Sequence, residues 1–272
     1  MPAEKLYLLD LGWLGGDIGW FLPGGPGGAA TKNDRNPGTT WVDVPVSAAL
    51  IEHKDGLILF DAGASPDAMS TRPGPTQNFP LTKFQEENRL EEQLSMIGYK
   101  PEDIAYVVIS HLHWDHVGQL PIFGSSARKI PLILQKKELE WALYTIWQGR
   151  GVYYTLDDMQ PLVGANWFPL ADKYFELLDG VALEWTGGHT PGHQIAKVTL
   201  RSGNSYVLTG DYLHIPEEYE LETKGWLLQD AEEWQIELRK LKLEVLARKS
   251  KLVISHDPKL WEKFPKAPKA LA

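Results

Sequence analysis

Val107-Val108-Ile109-Ser110-His111-Leu112-His113-Trp114-Asp115-His116 is the stretch on which the reading of this chain turns. An apolar run of strand length leads straight into three histidines and an aspartate. His111 and His113 flank Leu112, so in extended backbone both imidazoles project to the same side. Asp115 and His116 follow where the strand is expected to break into a turn and helix, with Gly118 just beyond. A catalytic zinc takes about three protein ligands and keeps a position open, so four donors in this spacing point to two metals side by side. The competing reading, a polar strand end carrying satisfied histidines, suits a lone histidine better than this cluster.

The bulk of the chain narrows the alternatives. At 272 residues with 43% hydrophobic content it can bury a sizeable core, as one large α/β domain or two small ones. With 27 basic and 36 acidic residues the net charge is −9, which leaves no basic footprint for nucleic acid. Cysteine is absent, so any metal ligand must be histidine or carboxylate. No apolar run approaches the roughly 18 residues of a membrane span, and Met1-Pro2-Ala3-Glu4-Lys5 leads into no signal-peptide core. The expectation is a soluble, cytoplasmic protein with no membrane partner.

Away from the central stretch, Lys5 to Leu11 reads as an opening strand. Residues 12–42 read as a loop, because Pro23-Gly24-Gly25-Pro26-Gly27-Gly28 can hold neither helix nor central strand. Trp13, Trp20 and Phe21 lie in it, which suits a lid over the site, a homodimer contact, or a surface loop pinned by its aromatics. Pro45–His53 and Leu57–Phe60 are expected strands around a turn at Lys54-Asp55-Gly56. Thr82-Lys83-Phe84-Gln85 looks like a capping box opening a helix through Leu90, Leu94 and Ile97, which Gly98 ends. Helix between apolar strands is βαβ-like and argues for a parallel segment. Further strands are expected at Ile130–Leu134, Val181–Trp185, Ala196–Leu200 and Tyr206–Thr209, with a short helix from Lys136 to Tyr144. Between Thr145 and Phe168 no periodicity appears, although Trp147, Tyr153, Tyr154 and Trp167 could wall an apolar pocket or anchor the segment. Asp230-Ala231-Glu232-Glu233 starts an amphipathic helix whose face of Trp234, Leu238, Leu241 and Val245 reads as core packing alone. Leu252-Val253-Ile254-Ser255-His256 repeats the pattern of Val107 to His111, delivering Ser-His at a second strand end.

His-Leu-His-Trp-Asp-His, together with Gly188-His189-Thr190-Pro191-Gly192-His193 and Ser255-His256-Asp257, resembles the metallo-β-lactamase superfamily, and within it the N-acyl-homoserine lactone lactonases. The resemblance implies a single αβ/βα sandwich domain over residues 1–272 with a dinuclear metal site. It implies that His111, His113 and His189 hold one metal, that Asp115, His116 and His256 hold the other, and that Asp211 bridges them. His193 then reads as a structural residue of its turn, and Asp61 as an acid orienting a ligand imidazole or as a turn residue. Zinc suits such a set, with iron, cobalt or manganese as alternatives. The implied reaction is opening of a lactone ring by a hydroxide bridging the metals, on a small ester or lactone substrate. Catalytic roles then fall to Asp115, Asp211 and His214, and substrate contacts to Trp20, Phe21, Trp114, Tyr212 and His214. One departure stands out: those lactonases carry a tyrosine three positions after the bridging aspartate, and this chain has His214 there. Asp-x-x-His is similar to the methyl-parathion-hydrolase branch, so an organophosphate or aryl-ester hydrolase is the second expectation. His214 either takes over the tyrosine's role as a hydrogen-bond donor or packs.

Overall fold

A computed structural model describes residues 1–23, 32–36 and 38–271. Two sheets form the frame. Strands β1 (Lys5–Asp17), β2 (Trp41–His53), β3 (Gly56–Phe60), β4 (Leu81–Lys83), β5 (Ile104–Val108), β6 (Leu132–Gln135) and β7 (Trp167–Leu170) make a sheet of order β4-β1-β2-β3-β5-β6-β7. Strands β8 (Tyr174–Leu178), β9 (Val181–Trp185), β10 (Gln194–Thr199), β11 (Ser205–Leu208) and β12 (Lys251–Val253) make the second, of order β12-β11-β10-β9-β8. The expected parallel segment is present, since β3, β5, β6 and β7 pair in parallel.

Period-2 alternation sends each strand's side chains to two different cores. Leu6, Leu8, Ala49, Ile51, Ile58 and Phe60 face inward and meet Val181, Leu183, Val198 and Leu208 of the other sheet. Their neighbours Tyr7, Leu9, Leu50, Leu57 and Leu59 face outward and are covered by Leu90 and Leu94 of the helix Leu90–Ile97, among others. Outside the second sheet, Ile195 and Val207 pack beneath Trp234, Leu238 and Leu241 of the helix Ala231–Arg248. Helices thus cover the outer face of each sheet, which is the αβ/βα sandwich expected. Among the described residues no helix is long and apolar enough to cross a membrane.

Two sequence expectations are corrected. The loop placed at residues 12–42 is shorter, because β1 continues to Asp17 and β2 starts at Trp41. Gly12, Gly15 and Gly16 fall in that expected loop, yet they are strand residues: Gly12 sits at φ +102 in the bulge between Asp10 and Trp13, and a Cβ on Gly16 would meet the Phe79 ring at 2.8 Å. Of the Pro/Gly run only Pro23 lies within the described residues. The capping box at Thr82 is also displaced. Leu81 to Lys83 pair with β1, and the reciprocal cap forms at Gln85 and Asn88, with Gln85 N donating to Asn88 Oδ1 at 2.9 Å.

Asp61, His111–His116, His189, Asp211 and His256 all follow the C-terminal ends of strands (β3, β5, β9, β11 and β12), so the sandwich gathers them along one edge. Gly118 closes the short helix Trp114–Val117 against the loop after β3, where a Cβ would stand 2.2 Å from Ser65 N. Backbone on both sides leaves no side chain to yield. Gly118→Ala is therefore expected to cost about 1–3 kcal/mol of stability in chemical unfolding. Gly74→Ala, at an exposed position with nothing nearer than 3.6 Å, should be neutral or slightly stabilising. Equal stability of the two variants would refute this packing account.

Candidate metal centre

Each imidazole at this edge is oriented by what its far nitrogen touches. His256 Nδ1 lies 2.7 Å from the Pro45 carbonyl and His189 Nδ1 lies 3.0 Å from the Leu227 carbonyl. A carbonyl only accepts, so both rings carry their proton on Nδ1 and turn the Nε2 lone pair inward. Ser110 Oγ spends its single proton on Asp61 Oδ2 at 2.7 Å, so it accepts from His111 Nδ1 at 3.0 Å. Asp61 Oδ2 also accepts from His116 Nδ1 at 2.8 Å, and Asp61 Oδ1 accepts from Ser110 N at 2.7 Å. The orienting role expected for Asp61 is realised, at a residue held in the left-handed region with φ 61.

The inward nitrogens converge. His189 Nε2 stands 3.2 Å from His111 Nε2 and 3.2 Å from His113 Nδ1. Burial drives His111 and His189 well below the ordinary imidazole range, and His113 to about 3; with the protons of His111 and His189 held on Nδ1, their two Nε2 lone pairs face each other. Asp211 Oδ2 lies 3.6 Å from His111 Nε2 and 3.5 Å from His189 Nε2. Its other oxygen lies 3.1 Å from the Nε2 atoms of both His116 and His256. Asp115 Oδ2 completes the second cluster, 3.7 Å from His116 Nε2 and 3.5 Å from His256 Nε2. Two groups result, His111, His113, His189 and Asp211, and Asp115, His116, Asp211 and His256; each could hold a metal ion. The donor set fits divalent cations: buried lone pairs face one another at separations that only a shared cation makes favourable.

Burial opposes charge on His116 and His256, but Asp211 and Asp115 outweigh it and raise both. Burial likewise opposes charge on Asp211, yet His116, His256 and His214 hold it well below the usual carboxylate range. The carboxylates that favour a proton on His116 and His256 are the same ones that would favour a cation, so metal binding competes with protonation there.

The loops bearing these ligands are tied together by buried charges that sequence reading missed. Glu138 accepts from Leu112 N at 3.0 Å, Tyr154 Oη at 3.0 Å, Thr190 Oγ1 at 2.7 Å and Gly192 N at 3.1 Å, joining the loops of His113 and His189. Nothing in its local sequence announces this, because all four partners are distant. The helix Ala231–Arg248 does more than pack: Glu233 accepts from Gly188 N at 2.9 Å, and Trp234 Nε1 donates to Tyr212 O at 2.9 Å. His193 is structural as expected, its Nε2 accepting from the backbone of Asp211 and Tyr212, both at 3.1 Å.

A narrow cleft of about 30 Å³ opens onto the centre, lined by Leu14, Phe21, Val44, Phe79 and Leu227, by Trp114, Tyr153 and His214, and by five of the clustered ligands. A second cavity of about 260 Å³ shares His113, Tyr153, His189 and Leu227 as walls and extends to Trp141, Val152 and Trp226. Phe21, Trp114 and His214, expected as substrate contacts, line the narrow cleft. Tyr212 does not: it is fully buried under the helix Ala231–Arg248, its hydroxyl donating to Trp234 O at 2.6 Å. Trp20 stands behind the wall, 5.5 Å from Phe79 between ring centres, while Trp13 packs under Lys83. Tyr153, one of the aromatics expected to wall a pocket, does so; Asn78 Nδ2 donates to its hydroxyl at 3.1 Å, leaving the phenolic proton for another acceptor. Trp147, at a helix end, is 91% exposed and walls nothing.

The Metallo-beta-lactamase superfamily profile matches residues 41–256, and the chain belongs to that superfamily. It is similar to an N-acyl homoserine lactonase of Bacillus cereus, 29% identical over 247 residues that cover 88% of this chain and 92% of that protein. It is similar also to the N-acyl homoserine lactonase AttM of Rhizobium radiobacter, 29% identical over 85% of this chain and 88% of that one. Among solved structures, an N-acyl homoserine lactone hydrolase with N-hexanoyl-L-homoserine bound at its catalytic metal centre superposes with a TM-score of 0.81 at 28% identity, both chains covered in full.

The titrations set a pH profile for the chelated protein. His111, His113, His189 and His193 are all lowered by burial, so below about pH 6.5 the unfolded chain binds protons that the folded one refuses, and stability falls. His116 and His256 are raised, so their contribution is complete below about pH 6.5 and is lost as pH rises through their folded values. Urea unfolding of the metal-free protein should show greatest stability close to neutrality; a steady gain down to about pH 5 would contradict buried neutral imidazoles. Asp61→Asn, which weakens the orientation of His116, should lower affinity for one metal about 10- to 100-fold while the other is retained.

Proposed function

We propose that this chain is a dinuclear metal-dependent lactonase acting on N-acyl-homoserine lactones. The observation that carries the reading is Asp211, whose two carboxylate oxygens face two different clusters of inward lone pairs. Its similarity along most of its length to N-acyl homoserine lactonases supports the substrate class. In this reading His111, His113 and His189 hold one ion, Asp115, His116 and His256 the second, and Asp211 bridges; zinc suits this set of imidazoles and carboxylates. When bound, such ions supply a water-derived nucleophile near neutral pH and polarise a carbonyl.

The chain's own residues do the rest. Leu14, Phe21, Val44 and Phe79 shed water from the cleft and strengthen every polar contact inside it. Tyr153 offers its free phenolic proton to a substrate carbonyl oxygen, a donor role that was one of the two alternatives left open for His214. Trp141, Val152 and Trp226 offer an apolar bed for an acyl chain beyond Tyr153. Phe21, whose ring centre is 5.3 Å from that of His214, closes one side of the cleft.

Elemental analysis of loaded protein should give two metals per chain, and Asp211→Asn should lose metal and activity together, because an amide bridges two cations poorly. On a panel of an N-acyl-homoserine lactone, an aryl ester, a phosphotriester and a β-lactam, the loaded enzyme should turn over the lactone fastest. Preference for the phosphotriester would replace this reading with the organophosphate hydrolase.

A further inference from the structure

His214 repeats the orientation of the clustered imidazoles but belongs to neither group of four. Its ring is fully buried at the wall of the cleft, and its Nε2, 3.3 Å from Asp211 Oδ2, has no hydrogen-bond partner. Its Nδ1 meets two buried groups, Glu218 Oε1 at 3.0 Å and Lys224 Nζ at 2.9 Å. These two demand opposite tautomers, since a carboxylate only accepts and an ammonium only donates.

Counting protons decides between them. Lys224 Nζ has three hydrogens and three oxygen acceptors in reach: Asp211 O at 2.8 Å, Tyr212 O at 3.0 Å and Glu218 Oε2 at 3.2 Å. None is left for His214, whereas Glu218 Oε1 has no other donor to it among the described residues. The proton therefore sits on Nδ1 and donates to Glu218, in a charge-assisted bond. Glu218 also accepts from His214 N at 2.6 Å through Oε2, so backbone and ring are clamped by one carboxylate. Nε2 is left as a lone pair, an acceptor, which is neither the donor role nor the simple packing that the sequence left open.

We infer that His214 is a substrate-recognition acceptor that receives the amide N–H of an acylamino-lactone, and that Glu218 and Lys224 are the positioning residues that fix its tautomer. The inference rests on the lactonase reading above. An N-acyl-homoserine lactone carries one N–H, on the carbon next to the lactone carbonyl, so an acceptor beside the metal clusters is placed to read it while Tyr153 serves a carbonyl oxygen. Replacing that N–H by an ester oxygen sets acceptor against acceptor in a dry cleft, and such mismatches are penalised more than a missing contact.

The test compares an N-acyl-homoserine lactone with its 2-acyloxy-γ-butyrolactone analogue, in which oxygen replaces the N–H, on zinc-loaded enzyme. The parent should favour the amide by about tenfold or more in kcat/KM, chiefly through KM. His214→Ala should narrow that ratio towards one with both metals kept, and Glu218→Gln should narrow it too, since an amide can drive the tautomer over. Nitrogen-15 NMR of labelled, zinc-loaded parent should show the His214 proton on Nδ1 alone. A proton on Nε2, an unchanged ratio in His214→Ala, or loss of a metal from that variant would each overturn the acceptor role. If the parent opens neither lactone, the lactonase reading itself fails and takes this role with it; if it opens both without preference, only the acceptor role fails.

Discussion

Inward lone pairs that repel one another are the constraint on which this structure depends. His111 and His189 set their Nε2 atoms 3.2 Å apart in a buried site, and each is denied the other tautomer by what its Nδ1 touches. Left to itself such an arrangement costs free energy, because desolvated acceptors face each other with no donor between them. A cation turns the same geometry into a binding site. The fold accordingly spends its rigidity on keeping the rings from rotating away, through the Pro45 and Leu227 carbonyls, Ser110 and Asp61.

That rigidity comes from buried charge as much as from apolar packing. Glu138 and Glu218 are both fully buried, yet each meets several donors, so the desolvation of the carboxylate is offset locally. A well-packed leucine at either position would serve the core equally well, but it could not hold two separate loops in register. Lys224 shows the same logic, donating to two successive carbonyls in the turn that carries Asp211. These residues specify where the ligands point, and they do so from two separate parts of the chain.

This division explains what was legible in the sequence. The seven clustered donors could be named because they sit in motifs resembling those of the metallo-β-lactamase superfamily, at the ends of strands that local periodicity marks. Most strands were legible for the same reason, but β4, β7 and β8, which are short or irregular, were not. Gly15 and Gly16 misled, because a glycine admitted for close approach of Trp41 and Phe79 looks the same in sequence as one needed for a turn. Tyr212 misled because its neighbour Asp211 faces the site, while the turn directs the next side chain beneath Trp234. Glu138 and Glu218 carried no local mark at all: what distinguishes them is partners that only the tertiary fold brings within reach.

The difference between a ligand and a substrate contact here is one of position, not of chemistry. His214 is held by a carboxylate as His116 is held by Asp61, and both present Nε2 to Asp211. His116 follows its strand within the compact turn that Gly118 closes, which brings it into the cluster. His214 comes three residues after Asp211, past the turn pinned by Lys224, and so stands at the cleft wall opposite Phe21. A histidine built like a ligand but set back from the ligand clusters keeps its lone pair for whatever enters the cleft. The apolar walls around it make that lone pair costly to leave unmet, and this cost is what gives the site a preference among lactones that otherwise share the same ring.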